Sequence, residues 1–270
     1  MKTIVLHIND DRAQGDRLAV ALDLARAHGA HIACVQAGVY DIYLSSDPMG
    51  GFYGYAELYE VVKQRNEDAR QRIEARLNAE GVSWDYENCD GDPVQILVSR
   101  ARLADLIVVS RADRDDGVYP GPIPIAGDVA VLARAPVLVV PPGTTSFDSK
   151  GPVAVAWNGS MEAAHSLRLT LAQLRLASAV HLLTVDDPPA DFPATDGCRY
   201  LSRHGISSEL HQCRSDQRPV ADTLLAAAQS VGATCLVMGA YGHSRLRETI
   251  FGGVTSDLLA RATLPLLLAH

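Results

Sequence analysis

The chain is poor in aromatic residues, poor in cysteine, and has no excess of positive charge. Aromatics make up 6% of its 270 positions, against 47% hydrophobic and 21% charged residues, an ordinary balance for a soluble α/β protein. The five cysteines, Cys34, Cys89, Cys198, Cys213 and Cys235, are odd in number and widely spaced. No CxxC pair occurs and no Cys/His cluster has zinc-finger spacing, so neither a disulfide framework nor a structural zinc module is expected. Cys34, Cys89 and Cys235 fall in or beside apolar runs, where a thiol packs as a small hydrophobe; reduced thiols imply a reducing compartment. A net charge of −8 argues against nucleic acid or an anionic membrane surface as the main partner. No apolar stretch approaches the ~20 residues that cross a bilayer. Met1-Lys2-Thr3-Ile4-Val5-Leu6 enters a strand pattern directly, which leaves no room for a signal peptide. A soluble, cytoplasmic protein is the expectation. Several catalytic signatures are missing too: no GxxxxGK[ST] loop, no GxGxxG after a strand, no GxSxG elbow and no HExxH helix.

What is present is an internal repeat. Thr3-Ile4-Val5-Leu6-His7-Ile8-Asn9 opens the first half and Pro152-Val153-Ala154-Val155-Ala156-Trp157-Asn158 the second. Ala104 to Ser110 parallels Ala233 to Gly239, and Leu132 to Val140 parallels Leu259 to Leu268. Pro93-Val94 parallels Pro219-Val220, each proline suiting the first turn of a helix. In the first half the patterns predict strands at 2–8, 31–37, 82–89, 104–110 and 136–140, with helices at 14–28, 56–80, 93–102 and 124–134. Leu58, Val62, Ala69, Ile73 and Leu77 share one face of the second helix. In the second half strands are expected at 152–157, 178–185, 206–213, 233–239 and 264–269. The first helix there carries Ala164, Leu167, Leu171 and Leu174 on one stripe, with Ser160 as its cap.

Runs such as Leu106-Ile107-Val108-Val109 are continuously apolar, as strands covered on both faces must be. The expectation is therefore α/β: two tandem doubly wound domains, each with a five-stranded parallel sheet of Rossmann-like type. Pro141-Pro142-Gly143-Thr144-Thr145-Ser146 reads as the linker, dividing the chain into 1–147 and 148–270. The first half is longer by an insert, Tyr40 to Tyr55, which reads either as a surface loop or as a lid beside the sheet's carboxyl edge.

Chemistry concentrates after the fourth strand of the second half. Gly239 and Gly242 permit a turn with positive φ near a ligand. Gly252-Gly253 then lead into a helix whose first N–H groups are unpaired and partly positive. A glycine loop feeding a helix N-terminus at this edge of a parallel sheet suits phosphate, and Thr255 and Ser256 add hydroxyls. His243 sits inside the loop, either as a free side chain or as a phosphate contact. His7 and His181 lie within strands and read as ordinary core or edge residues. Asp186-Asp187-Pro188-Pro189 reads as a turn. No metal-ligating set is expected.

This loop resembles the universal stress protein family, whose signature is glycine, two residues, glycine, nine residues, glycine, then serine or threonine. Gly239, Gly242 and Gly252 match that spacing, and the order of strands and helices matches twice along the chain. The resemblance implies an adenine nucleotide α-hydrolase-like fold and an ATP or related adenine-nucleotide site, with or without Mg. It implicates Asn158, Val185, Met238, Gly239, Gly242, His243, Gly252, Gly253, Val254 and Thr255, with the backbone at Thr184-Val185 meeting adenine. Two positions depart: Gly253 stands where a hydroxyl is usual, and Asn158 replaces an acidic residue of the first strand.

The first half has lost the signature. Ser110 and Asp113 replace its leading glycines, Asp113, Asp115 and Asp116 repel phosphate, and Pro120, Pro122 and Pro124 remove amide donors. A regulatory stress-response module that binds nucleotide in its second half is the leading expectation, not an enzyme. Slow ATP hydrolysis or nucleotidyl transfer, and a structural protein without nucleotide, are the alternatives. The halves are expected to pair as an internal pseudo-dimer through their fifth strands, and two chains can pair again as a homodimer.

Overall fold

The computed structural model describes residues 1–38, 55–112, 124–186, 192–241 and 253–270, with the side chains of 38 and 55–62 set aside. The Tyr40-to-Tyr55 insert (all but the backbone of Tyr55), the 113–123 loop, Asp187 to Pro189, and Gly242, His243 and Gly252 lie outside the described residues.

Each apolar run becomes a strand. The first half contains β1 (Thr3–Ile8), α1 (Gln14–His28), β2 (His31–Gly38), α2 (Tyr55–Glu80), β3 (Ser83–Asp90), α3 (Pro93–Arg100) with a 3-10 turn at Ala101–Leu103, β4 (Leu106–Ser110), α4 (Ala126–Leu132) and β5 (Val137–Val140). The second contains β6 (Val153–Ala156), α5 (Met161–Leu169), α6 (Leu171–Leu174), β7 (Val180–Val185), α7 (Ala194–Arg203), β8 (Ser208–Cys213), α8 (Val220–Ser230), β9 (Cys235–Gly239), α9 (Gly253–Arg261) and β10 (Leu266–Ala269).

Local chemistry sets the helix ends. Asp92 caps α3 by accepting from the Gln95 amide at 2.9 Å, with Pro93 in the first turn. Ser160 caps α5 through the Ala163 amide at 3.1 Å. Pro219 sits one position earlier than Pro93 does, at the cap of α8 rather than in its first turn. The expected continuous helix after Ser160 breaks at Thr170, whose hydroxyl donates to the Ser166 carbonyl at 2.7 Å. The break changes the buried stripe, which runs through Ala163, Ser166, Leu167, Thr170, Gln173 and Leu174, while Ala164 and Leu171 are half-buried.

The strands form one ten-stranded sheet in the order β3-β2-β1-β4-β5-β10-β9-β6-β7-β8. Every pair within a half is parallel, and only β5 and β10 run antiparallel. Helices cover both faces: Ile4, Leu6 and Ile8 enter the core under α1, and Val5 enters the core under α3 and α4. The two halves repeat one another to the hydrogen bond. Ile107 N donates to Pro136 O and, 129 residues on, Leu236 N donates to Pro265 O; Arg111 N to Val140 O recurs as Ala240 N to Ala269 O.

The β5–β10 register pairs Val137 with Leu268, Leu138 with Leu267, and Val139 with Leu266. Under the same 129-residue shift this list maps onto itself, so a local two-fold axis passes between Leu138 and Leu267. The segment joining the halves is tied down as well: Gly143 N and Phe147 N donate to Asp16 and Asp23 of α1, and the Phe147 ring is buried. A shared sheet and an anchored linker predict one cooperative unfolding unit. The two tryptophans, Trp84 on β3 and Trp157 beyond β6, report opposite halves. Single-tryptophan variants, Trp84→Phe and Trp157→Phe, should give the same urea midpoint by fluorescence; midpoints that part company would show independently folding halves.

Candidate functional site

In an open parallel sheet the crevice for a ligand opens where neighbouring connections leave in opposite directions. In the second half that point lies between the carboxyl ends of β6 and β9. A pocket of ≈ 280 Å³ occupies it. Val185, Val220, Leu224 and Met238 give one apolar wall, and Gly253, Val254 and Thr255, the first residues of α9, give a wall of backbone amides. Ala156, Trp157, Asn158, Ser160, Glu162, Ala163, Gly239 and Tyr241 complete the lining.

Of the residues expected from sequence, Asn158, Val185, Met238, Gly239, Gly253, Val254 and Thr255 all line this one pocket; Ser256 does not. The remaining three, Gly242, His243 and Gly252, lie outside the described residues. Trp157, Glu162, Val220 and Leu224 were missed. Val220 carried a signal, as a valine at the start of an amphipathic helix; it is part-exposed and lines the pocket. Trp157 is buried against Phe192, and its Nε1 has no partner among the described residues.

Gly239 is required for a reason other than the expected one. Its φ is not positive; instead a Cβ there would sit 2.6 Å from the Glu162 carbonyl carbon and 2.7 Å from the Ala163 amide nitrogen. The residue lets the start of α5 close onto the end of β9. Turn strain falls on Tyr241 (φ 54°), whose amide donates to Thr255 Oγ1 at 3.4 Å. Its phenol lies against Gly127 of α4, where a Cβ would meet the Tyr241 oxygen at 2.5 Å. At Gly253, by contrast, a Cβ would meet no atom of the described residues within 4 Å. Asn158 is engaged in a local turn, accepting from the Ser160 amide at 3.1 Å. Asp186, beyond the end of β7, accepts from the Ser215 amide at 3.0 Å. Hydrogen bonds from the backbone and side chain of Ser215 lower its pKa.

The equivalent crevice in the first half, between β1 and β4, is filled by the chain itself. Arg17 is fully buried. Its Nη1 donates to Asp11 Oδ1 and Ser110 Oγ, both at 2.9 Å. Its Nη2 donates to Asn9 O and Gln14 Oε1, both at 2.8 Å, and its Nε to His7 O at 2.8 Å. All five donors of the guanidinium are used. In the second half the matching positions hold Ser166 for Arg17 and Gly239 for Ser110, which is why a cavity exists there. Sequence reading attributed the loss of the first site to Ser110, the loop carboxylates and the prolines; of these the described residues contain Ser110 and Pro124, and the occupying Arg17 was not foreseen.

The site and fold define a doubly wound α/β protein with a slot at the switch point of its second half. Residues 151–270 match the model of the universal stress protein family. No curated protein matches the sequence at a significant level. Among solved structures, a universal stress protein from Archaeoglobus fulgidus DSM 4304 is 17% identical, with TM-score 0.73 over 99% of this chain and 97% of that one. A functionally unknown protein from Pseudomonas aeruginosa PAO1 is also 17% identical, with TM-score 0.63 over 100% and 92%. At such identities the likeness is one of fold.

The Arg17 cluster gives two expected outcomes. Arg17→Met leaves Asp11 buried without its partner and should cost roughly 3–5 kcal/mol in urea unfolding, with no nucleotide site created. His7, beneath the cluster, has a pKa held well below its ordinary value, first by burial and then by the Arg17 charge. It therefore stays neutral when folded and takes a proton only when unfolded. Its contribution is present above about pH 6.5 and is lost as pH falls below, by up to about 1.4 kcal/mol per unit. The stability difference between pH 7.5 and 5.5 should shrink in His7→Leu.

Proposed function

We propose that the second half binds one adenine nucleotide per chain, with ATP as the leading ligand, and acts as a regulatory stress-response module in the cytoplasm rather than as an enzyme. The observation that carries this reading is the pocket's division into an apolar slot and an amide-lined helix start. A flat base fits between Val185, Val220, Leu224 and Met238. Phosphates suit the N-terminus of α9, where unpaired amides and the helix dipole favour anions. Thr255 Oγ1, which accepts from the Tyr241 amide, keeps its own proton to donate. Glu162 is the one carboxylate among the described lining residues, and Mg²⁺ is commonly held by one or two carboxylates together with phosphates. Glu162 would hold the ion, which would supply charge neutralisation.

The non-catalytic reading draws on the lining as well. Among the described residues it contains no histidine or cysteine, and the Ser160 hydroxyl oxygen is engaged as a helix cap. Hydrolysis needs a positioned water and charge stabilisation in flight. Cytoplasmic placement draws on the thiols: all five cysteines are free, and burial pushes Cys34 and Cys235 up to about 12. No helix among the described residues is long and apolar enough to cross a membrane.

Calorimetric titration with ATP tests the reading. The expected stoichiometry is one, and two equal sites would contradict it. Gly239→Ala forces a Cβ into the backbone of α5 and should weaken binding several-fold. Gly253→Ser adds a hydroxyl at the first amide of α9 and should strengthen it. Equal affinity in both variants would remove the pocket as the site. Steady phosphate release by the wild type would favour the ATPase alternative, and no binding at all the structural one.

A further inference from the structure

The sheet register creates a cluster that no spacing rule reveals. His181 on β7 is paired with Glu209 on β8, and His211 follows two residues later on the same face. His181 Nδ1 lies 2.9 Å from His211 Nε2 and 3.6 Å from Glu209 Oε2, and His211 Nε2 lies 3.7 Å from that oxygen. Three donor atoms thus converge on one point. The two imidazole nitrogens share at most one proton between them, so at least one of the two is unprotonated and able to ligate a metal.

We propose that His181, Glu209 and His211 form a three-ligand site for a divalent transition metal, with Zn²⁺ as the ion. Ligand atoms about 2.0–2.2 Å from a tetrahedral zinc stand roughly 3.3–3.5 Å apart, and the three separations bracket that value. Two imidazoles and a carboxylate are the donor set zinc takes where one position stays open. The side chains grade from 12% exposed at His181 through 29% at His211 to 69% at Glu209, so the fourth position opens to solvent. Both strands are regular, and β8 is the free edge of the sheet, so the ligands are held by backbone pairing rather than by a loop. His181 lies four residues before Val185 on the same strand, about 13 Å from the nucleotide pocket. The metal site is distinct from that pocket and does not depend on it. Reading His181 as an ordinary core or edge residue missed this, because its partners are 28 and 30 positions away in sequence.

The test is calorimetric titration of chelator-treated full-length protein with ZnCl₂, alongside Co²⁺ as a visible probe of four-coordinate geometry. One Zn²⁺ per chain is expected, with affinity falling at least about tenfold in His181→Ala and in His211→Ala, and Co²⁺ bands lost in both. His31→Ala is the control, since His31 pairs with Asp85 and Ser83 on the opposite edge of the sheet; it should bind as wild type does. If circular dichroism shows either histidine variant misfolded, Glu209→Gln serves instead, because that side chain is exposed and its loss spares the core. No saturable binding, or binding equal in the wild type and the ligand variants, overturns the proposal and leaves a plain histidine–histidine hydrogen bond.

Discussion

The antiparallel ladder between β5 and β10 is the contact on which the rest of the structure depends. A parallel sheet of five strands ends in an edge whose N–H and C=O groups and apolar side chains need cover. Here each half covers the other's edge. Val137, Leu138, Val139, Leu266, Leu267 and Leu268 are all buried, which no single half would achieve. The ladder also fixes the relative pose of the halves, because a one-residue slip would turn each strand's side chains to the wrong face. The outer edges left over are β3 and β8, and both are rich in exposed polar residues, Ser83, Asp85 and Glu87 on one and Glu209 on the other. Such edges resist further strand pairing.

The repeated scaffold carries two different solutions at its switch points. In the first half a permanent cation, Arg17, meets the carbonyls at the end of β1 and the hydroxyl on β4. In the second half small residues at the same positions leave a cavity. A buried guanidinium with all donors satisfied is rigid and tolerates no ligand in its place, since moving it would strand Asp11 without a counter-charge. The asymmetry therefore lies in the core beneath the loops as much as in the loops themselves.

Much of this was legible in the sequence. The strands are apolar runs, the repeat gave the topology, and α1 falls at the residues its periodicity predicts. The starts of β5 and β10 were read one and two residues early, and there Pro136 and Pro265 lack the N–H that a ladder needs. Asn158, Val185, Met238, Gly239, Gly253, Val254 and Thr255 were read from the resemblance and do meet at one pocket. What stayed hidden depends on register and packing. Nothing in the helical pattern at 14–28 marks Arg17 as buried. Val220 and Leu224 fall in a helical pattern that names no ligand. His181, Glu209 and His211 become neighbours only through the pairing of β7 with β8. Gly239 shows a subtler gap: the residue type was right, but the cause is a close approach of α5 rather than a positive φ.

The first half also acts on the pocket from a distance. Arg111, the residue after β4, donates from Nη1 to the carbonyls of Ala260 and Ala262 at 3.2 and 3.0 Å. Those carbonyls sit at the C-terminal end of α9, the helix whose first amides line the pocket. A cation at the carboxyl end stabilises a helix through the same dipole that attracts an anion at the amino end. Gly127 of α4 meanwhile leaves room for Tyr241, at the other end of the same helix-and-loop unit. The half whose switch-point crevice is filled by Arg17 thus contacts both ends of the unit that lines the pocket.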